Sequence, residues 1–253
     1  MTPAKAPNGS EVQEDLQQKY PTLVGKLLWV SNTVWPDICY AVNTLAQHMS
    51  TPTKEAMQMA LCVVKYLNQM QNEVLWIGSQ HLTKSPIKTY TDANWASDPN
   101  TDHKSTSGLV IKVYGSIVMW NSHVQKCTTS STIEAEYIAG STATREVLFH
   151  GYLLCSLGFS DQTPMILTDN TGCIQVVKDQ AMHTKLKHIN TRYHLICDHI
   201  QEGDILMKYV KTNNNLADFL TKPVSQHLLT QTHRHLGMTT IEPAICSADK
   251  RDS

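Results

Sequence analysis

The sequence lacks an excess of either charge. Its 253 residues hold 21 Lys plus Arg against 22 Asp plus Glu, a net charge of -1. There is thus no overall electrostatic reason to meet a polyanion, and any nucleic-acid partner must be held by a local patch. It also lacks an apolar run long enough to cross a bilayer, and its first 18 residues, MTPAKAPNGSEVQEDLQQ, contain no hydrophobic segment of the kind a secretory signal requires. No membrane association and an intracellular protein, cytoplasmic or nuclear, are expected. Paired cysteine spacing is absent as well. Cys39, Cys62, Cys127, Cys155, Cys173, Cys197 and Cys246 are odd in number, scattered and mostly inside apolar runs, which excludes a zinc ribbon or disulfide scaffold and points to reduced core residues.

What is present is a globular composition, 41% hydrophobic and 17% charged, ample for one large domain or one domain with a smaller companion. Residues 1–18 are polar and aperiodic and are expected to form a disordered tail. Residues 19–82 read as a helical segment. PTLVGKLLWVSNT has helical spacing, WPDICYAVNTLAQHM places Pro36 in a first turn, and TPTKEAMQMALCVVKYLNQM opens on threonine caps with Ala56, Met59, Ala60, Val63 and Leu67 as its apolar stripe. From about residue 83 the period shortens. IKTYTDANWAS, SGLVIKVYG and SIVMWNSHV read as strands, the last two joined by a hairpin at Tyr114-Gly115. A long helix over 131–157, a strand MILTDN, a helix TGCIQVVKD, a helix HINTRYHLICDHIQEG, a strand DILMKYVK and a final helix broken at Pro223 complete an α/β domain over 83–236, its mixed sheet covered by helices. Residues 237–253 are expected to be a disordered tail.

The start of the long helix, SSTIEAEYIAG, carries two glutamates. Ser131 and Glu134 fit the Ser-x-x-Glu capping box, in which Ser131 accepts an early backbone amide and Glu134 reaches back to the amide of Ser131. Glu136 lies about 200 degrees further round the helix and has no part in the cap. Ala139, Gly140 and Ala143 follow it on one small-residue face that can press against the sheet, so a carboxylate there is buried and needs a cation, either a basic side chain or a metal. Asp92 in TYTDAN and Asp169 in LTDNT each end a strand-like run after a threonine, where ligands gather in α/β sheets; each could equally be a turn acid. Asp218 in NNNLADFLT is expected in the first turn of the final helix, where an acid also suits the helix dipole.

The segments YTDANWASDPNTDHKSTSGLV, SSTIEAEYIAGSTATREVLF, ILTDNTGCIQVVKD, KHINTRYHLICDHIQEGDILMKYV and NNLADFLTKP, in that order, resemble the ribonuclease H domain of copia-type LTR retrotransposon reverse transcriptases. The preceding helical block resembles the connection segment of the same polyprotein. The resemblance implies a ribonuclease H-like fold with a mixed five-stranded sheet and a site of four carboxylates, Asp92, Glu136, Asp169 and Asp218, holding two Mg²⁺ ions, with Mn²⁺ as a possible substitute. Four anions converging in one pocket raise one another's pKa values, and divalent cations with oxygen ligands resolve this. Two ions about 4 Å apart can activate a water and steady the leaving oxygen. The implied reaction is hydrolysis of the RNA strand of an RNA:DNA hybrid, recognised through 2′ hydroxyls, with the polymerase part of a reverse transcriptase as partner in cis or in trans and a virus-like particle as a further place of action. For binding the hybrid, the acid-free run from Ala181 to Cys197 offers His183, Lys185, Lys187, His188, Arg192 and His194, and Ser130, Ser131, Thr132 and Asn170 stand beside the acids.

Some features depart from the family. The loop VKTNNNLAD carries no histidine before the last acid, Trp35 stands where arginine is common, and no Tyr-x-Asp-Asp motif is present, so this chain cannot polymerise by itself. Two other readings stand beside the nuclease: a host-adopted remnant that binds nucleic acid or protein without cutting, and a zinc site from His194, Cys197 and His199 with His233 or His235. A helix sets His199 on a different face from His194 and Cys197, against the zinc reading.

Overall fold

The computed structural model describes residues 14–78, 86–98, 103–159, 162–179 and 193–241. The chain opens with α1 (Glu14–Thr33), then a short 3-10 turn, Pro36–Ile38, that runs directly into α2 (Cys39–Ala46), and α3 (Lys54–Gln69). Thr53 caps α3 by accepting the Ala56 amide at 3.1 Å. Their apolar faces close on one another around Tyr20, Val24, Leu27, Ile38, Val42, Leu45, Ala56 and Ala60, with Met59, Val63 and Leu67 alongside. α1 starts five residues inside the segment expected to be a disordered tail.

Among the described residues, seven strands and four helices follow: β1 (Glu73–Leu75), β2 (Ile87–Asp98), β3 (Lys104–Val113), β4 (Ser116–Val124), α4 (Thr132–Ser156), β5 (Met165–Thr168), α5 (Thr171–Lys178), α6 (Leu195–Gln201), β6 (Leu206–Tyr209), α7 (Gln226–Leu236) and β7 (Met238–Thr240). The main sheet runs β4-β3-β2-β5-β6. β3 is antiparallel to β2 and β4, whereas β5 and β6 are parallel to β2. This is the mixed five-stranded α/β architecture expected, and Tyr114 and Gly115 do form the β3–β4 turn, both at positive φ. The first three turns of α4 are buried nearly all round. Gly140 permits this, since a Cβ there would stand 3.1 Å from Ile196 Cδ1 of α6. One core lies under α4, around Tyr137, Ile138, Ile166, Val177, Ile196 and Met207.

The other face of the sheet carries a second core, in which Val110, Ile117, Phe219, Leu220, Leu236 and Met238 pack with Cys39 of the helical segment. Three sequence expectations are corrected here. Met238–Thr240 form β7, antiparallel to β1, so the segment expected as a disordered C-terminal tail begins as a strand. The final helix is interrupted around Pro223 as expected, but the part before the break is a 3-10 turn and not an α-helix. Asn215 accepts the Ala217 amide through its side chain, which starts a 3-10 turn at Asp218–Leu220, and Pro223 bars the residue before it from continuing helically; α7 starts afresh with Ser225 as its cap. Asp218 therefore sits in the 3-10 turn and not in α7. Of the cysteines, Cys39, Cys173 and Cys197 are buried and reduced, but Cys62 and Cys155 are exposed, because they fall on the outer faces of α3 and α4.

Candidate active site

Asp92 lies in β2 on the sheet face that meets the Asp218 turn. The close approach of that turn depends on Gly108, its partner in β3: a Cβ at 108 would stand 2.7 Å from the Ala217 carbonyl and 2.8 Å from Thr221. Thr221 donates its hydroxyl to Asp92 Oδ2. Glu136 reaches the same place from the second turn of α4, where its Oε1 accepts the Ala93 amide at 3.2 Å and its Oε2 the Thr168 hydroxyl at 3.4 Å. Asp169 enters from the C-terminal end of β5 and accepts from Asn215 Nδ2 at 3.3 Å; the same amide group donates to the Thr91 carbonyl at 3.0 Å. Carboxylate oxygens of Asp92, Glu136 and Asp169 lie within 4.8 Å of one another. Asp92 and Glu136 are buried, and Asp169 is half-buried.

Such crowding has an electrostatic cost. Burial, then the charges of Asp218 and Asp169, push Asp92 up to about 6, against the hydrogen bond from Thr221 and the charge of Lys222. Glu136 is raised well above a glutamate's ordinary value, first by burial and then by Asp92 and Asp169. Asp218 stands at the edge of the group. It is close enough for its charge to act on Asp92, yet its Oδ1 is 2.5 Å from the ammonium of Lys222, four residues on. Burial opposes the charge of Lys222, but Asp218, Asp92 and Asp169 outweigh it and raise its pKa. Three acids thus converge with no basic side chain bridging them among the described residues, and the fourth is tied to a lysine.

Glu134 is a cap. Ser131 Oγ accepts the Glu134 amide at 3.3 Å, while Glu134 takes the amide and the hydroxyl of Ser130, both at 2.7 Å. The reach back is to Ser130, one residue earlier than the capping box predicts. Ser131 and Asn170, expected beside the substrate, both hold helix starts: Asn170 Oδ1 accepts the Cys173 amide at 2.8 Å. Lys185, Lys187, His188 and Arg192, with His183, fall outside the described residues. Sequence reasoning missed Thr168, Asn215, Thr221 and Lys222. Lys222 carried a signal, its i,i+4 spacing from Asp218; the others meet the acids only across strands and turns.

The three groups of the zinc reading separate. His194 Nδ1 and Cys197 Sγ both turn to the Tyr137 hydroxyl, at 2.7 and 3.2 Å, whereas His199 pairs with Asp204 at 2.8 Å and His233 with Asp37. His199, Glu202 and Asp204 do bring their ligand atoms within 4.8 Å, but at the N-terminal approach to β6, the opposite end of the sheet from Asp169.

The retrovirus-related Pol polyprotein from transposon RE1 of Arabidopsis thaliana is 32% identical to this chain over 227 residues, 89% of this chain and 15% of that protein. The corresponding polyprotein from transposon TNT 1-94 of Nicotiana tabacum is 31% identical over 220 residues, 87% of this chain and 16% of that one. The chain is a homologue of copia-type retrotransposon Pol polyproteins. The chain spans less than a fifth of the length of either relative. No protein-family model matches it. Among solved structures similar to it, LC11-RNase H1 in complex with an RNA/DNA hybrid is 19% identical, with a TM-score of 0.40 over 53% of this chain and 93% of that one. The foamy viral protease-reverse transcriptase in complex with an RNA/DNA hybrid is 16% identical, with a TM-score of 0.48 over 83% of this chain and 27% of that one.

Proposed function

We propose that this chain is a metal-dependent ribonuclease H that hydrolyses the RNA strand of RNA:DNA hybrids in the course of reverse transcription, with the polymerase part of a reverse transcriptase, in cis or in trans, as its partner. The observation that carries the reading is the convergence of Asp92, Glu136 and Asp169, three carboxylates from β2, α4 and β5 with oxygens within 4.8 Å of one another. The donor set fits a hard divalent cation. It is all oxygen and partly buried, and burial first, then neighbouring acids, push Asp92 and Glu136 toward the neutral form, a cost that a cation offsets. Asp92, Glu136 and Asp169 would hold Mg²⁺ or Mn²⁺, with Asp218 completing the set from the edge. When bound, such ions supply the charge that activates a water and offsets the charge growing on the phosphate.

The chain's own residues do the rest. Thr221, Thr168 and the Ala93 amide fix the carboxylates of Asp92 and Glu136, and Asn215 ties Asp169 to β2. The site is thereby built on strands and a helix start before substrate arrives, which lowers the reorganisation that the reaction must supply. Lys222 balances part of the negative charge. No helix among the described residues is long and apolar enough to cross a membrane.

The test is a labelled RNA:DNA duplex incubated with the protein in Mg²⁺, in EDTA, and beside an Asp169→Asn variant. Cleavage confined to the wild type in Mg²⁺ is expected. Cleavage surviving EDTA or the substitution overturns the site, and no cleavage by any form favours the binding-only remnant.

A further inference from the structure

The acids account for the floor of the site, but one large side chain at its rim has no part in them. Beyond Asp92 the β2–β3 register shifts between Asn94 and Asp98, and Ala96 takes a left-handed φ of 48°, a conformation that a β-branched or bulky residue would resist. This bulge lifts Trp95 out of the ladder, and bulges commonly re-aim a side chain beside a site. Two bonds hold the result in place. The indole Nε1 donates to the Thr129 carbonyl at 3.1 Å, and the Ala96 amide donates to Ser105 Oγ at 3.3 Å, whose hydroxyl in turn lies 3.1 Å from Thr129 Oγ1. The residue is nonetheless 43% exposed. A tryptophan whose only polar atom is already satisfied inside the protein offers solvent nothing but an apolar face.

Its surroundings say what that face meets. Trp95 is three residues along an extended strand from Asp92, roughly 10 Å, and Ala93, between them, bonds Glu136. Across from it runs the 128–131 loop, where Thr128 is exposed and the Ser130 hydroxyl is taken by Glu134, leading into the N-terminus of the 25-residue α4, whose first residue, Thr132, is exposed as well. Hydroxyls and a helix start suit phosphate and sugar oxygens, and a fixed aromatic plate suits the apolar face of a sugar or base. We propose that Trp95 is a substrate-binding residue, a rigid platform that packs on a nucleotide next to the one whose phosphate lies at Asp92, Glu136 and Asp169. The inference rests on the nuclease reading and deepens it by assigning a binding residue.

Affinity for a fluorescent RNA:DNA duplex is measured by anisotropy in EDTA, so that no strand is cut, and KM and kcat are measured separately in Mg²⁺. Trp95→Ala is expected to weaken binding roughly tenfold or more, with KM rising in step and kcat within about twofold, since the acids are untouched. Trp95→Phe, which keeps a ring but loses the N–H, is expected to recover most of the affinity, a rescue that a merely structural role in bonding Thr129 would not give. Thermal unfolding of each variant shows that the fold is retained. Equal affinity of wild type and Trp95→Ala, or failure of phenylalanine to rescue, overturns the inference alone. A wild type that binds no hybrid overturns it together with the nuclease reading.

Discussion

Two glutamates two residues apart have different work, and their hydrogen bonds separate them. Glu134 accepts from Ser130 at the helix start, whereas Glu136 faces Asp92 and Asp169 across the site. Glu134→Gln keeps an acceptor for the cap and is expected to leave hybrid cleavage within about threefold of wild type, while Glu136→Gln removes an anionic ligand and is expected to lower kcat by at least about a hundredfold; equal losses in a side-by-side assay would contradict the division. A pH prediction follows from Asp92, raised to about 6 by burial and then by neighbouring acids. A carboxyl with a higher pKa in the folded than in the unfolded state binds its proton more tightly when folded, so its stabilising effect is complete below pH 4 and is lost as pH rises through about 6. The difference is on the order of 3 kcal/mol, and Glu136 shifts in the same direction. In EDTA the melting temperature is expected to fall between pH 4.5 and 7, and saturating Mg²⁺ at pH 7 to restore it. A melting temperature that rises with pH in EDTA, or ignores Mg²⁺, would contradict the assignment of these acids.

At the level of elements, the site exists because β2, β5, the start of α4 and the Asp218 turn converge, and the turn's approach depends on Gly108. A methyl group there would meet the Ala217 carbonyl at 2.7 Å, backbone that cannot swing aside. Gly108→Ala is expected to cost about 2 kcal/mol or more and to displace Thr221 from Asp92, read as a lower urea midpoint together with lost cleavage; a variant as stable and active as wild type would mean that the turn is not held by this packing. The strands, the long helix and its cap were legible in the sequence because each has a local period or a local bond, as Ser131 and Glu134 show. The break before α7 was half legible. Pro223 marked its place, but the separate 3-10 turn depends on the Asn215 side chain bonding its own backbone and β2. Asn215, Thr168 and Thr221 were illegible as hydrogen-bond partners of Asp169, Glu136 and Asp92, since contacts across 32 to 129 residues leave no local trace. β1 and β7, three residues each, are too short for a visible alternation.

Across the whole molecule the helical segment and the sheet are fastened rather than merely adjacent. The Asp37 side chain is fully buried; its Oδ2 accepts from the Tyr66 hydroxyl of α3 and lies 2.9 Å from His233 Nε2 of α7. Trp120 of β4 donates to the Ser31 carbonyl of α1 at 2.6 Å, and β1 pairs with β7. Tyr66→Phe removes a donor from a buried carboxylate and is expected to cost about 1.5–3 kcal/mol, seen as a lower urea midpoint with cleavage per folded molecule unchanged; an unaltered midpoint would mean that the latch contributes nothing. This common frame keeps the acids in place, and the central claim is that three of them form a divalent-cation site. The most direct measurement is a Mn²⁺ titration followed by electron paramagnetic resonance, wild type beside Glu136→Gln, both confirmed as folded. Saturable binding by the wild type that weakens at least about tenfold in the variant is the predicted result; no binding by the wild type, or equal binding by both, would contradict the account.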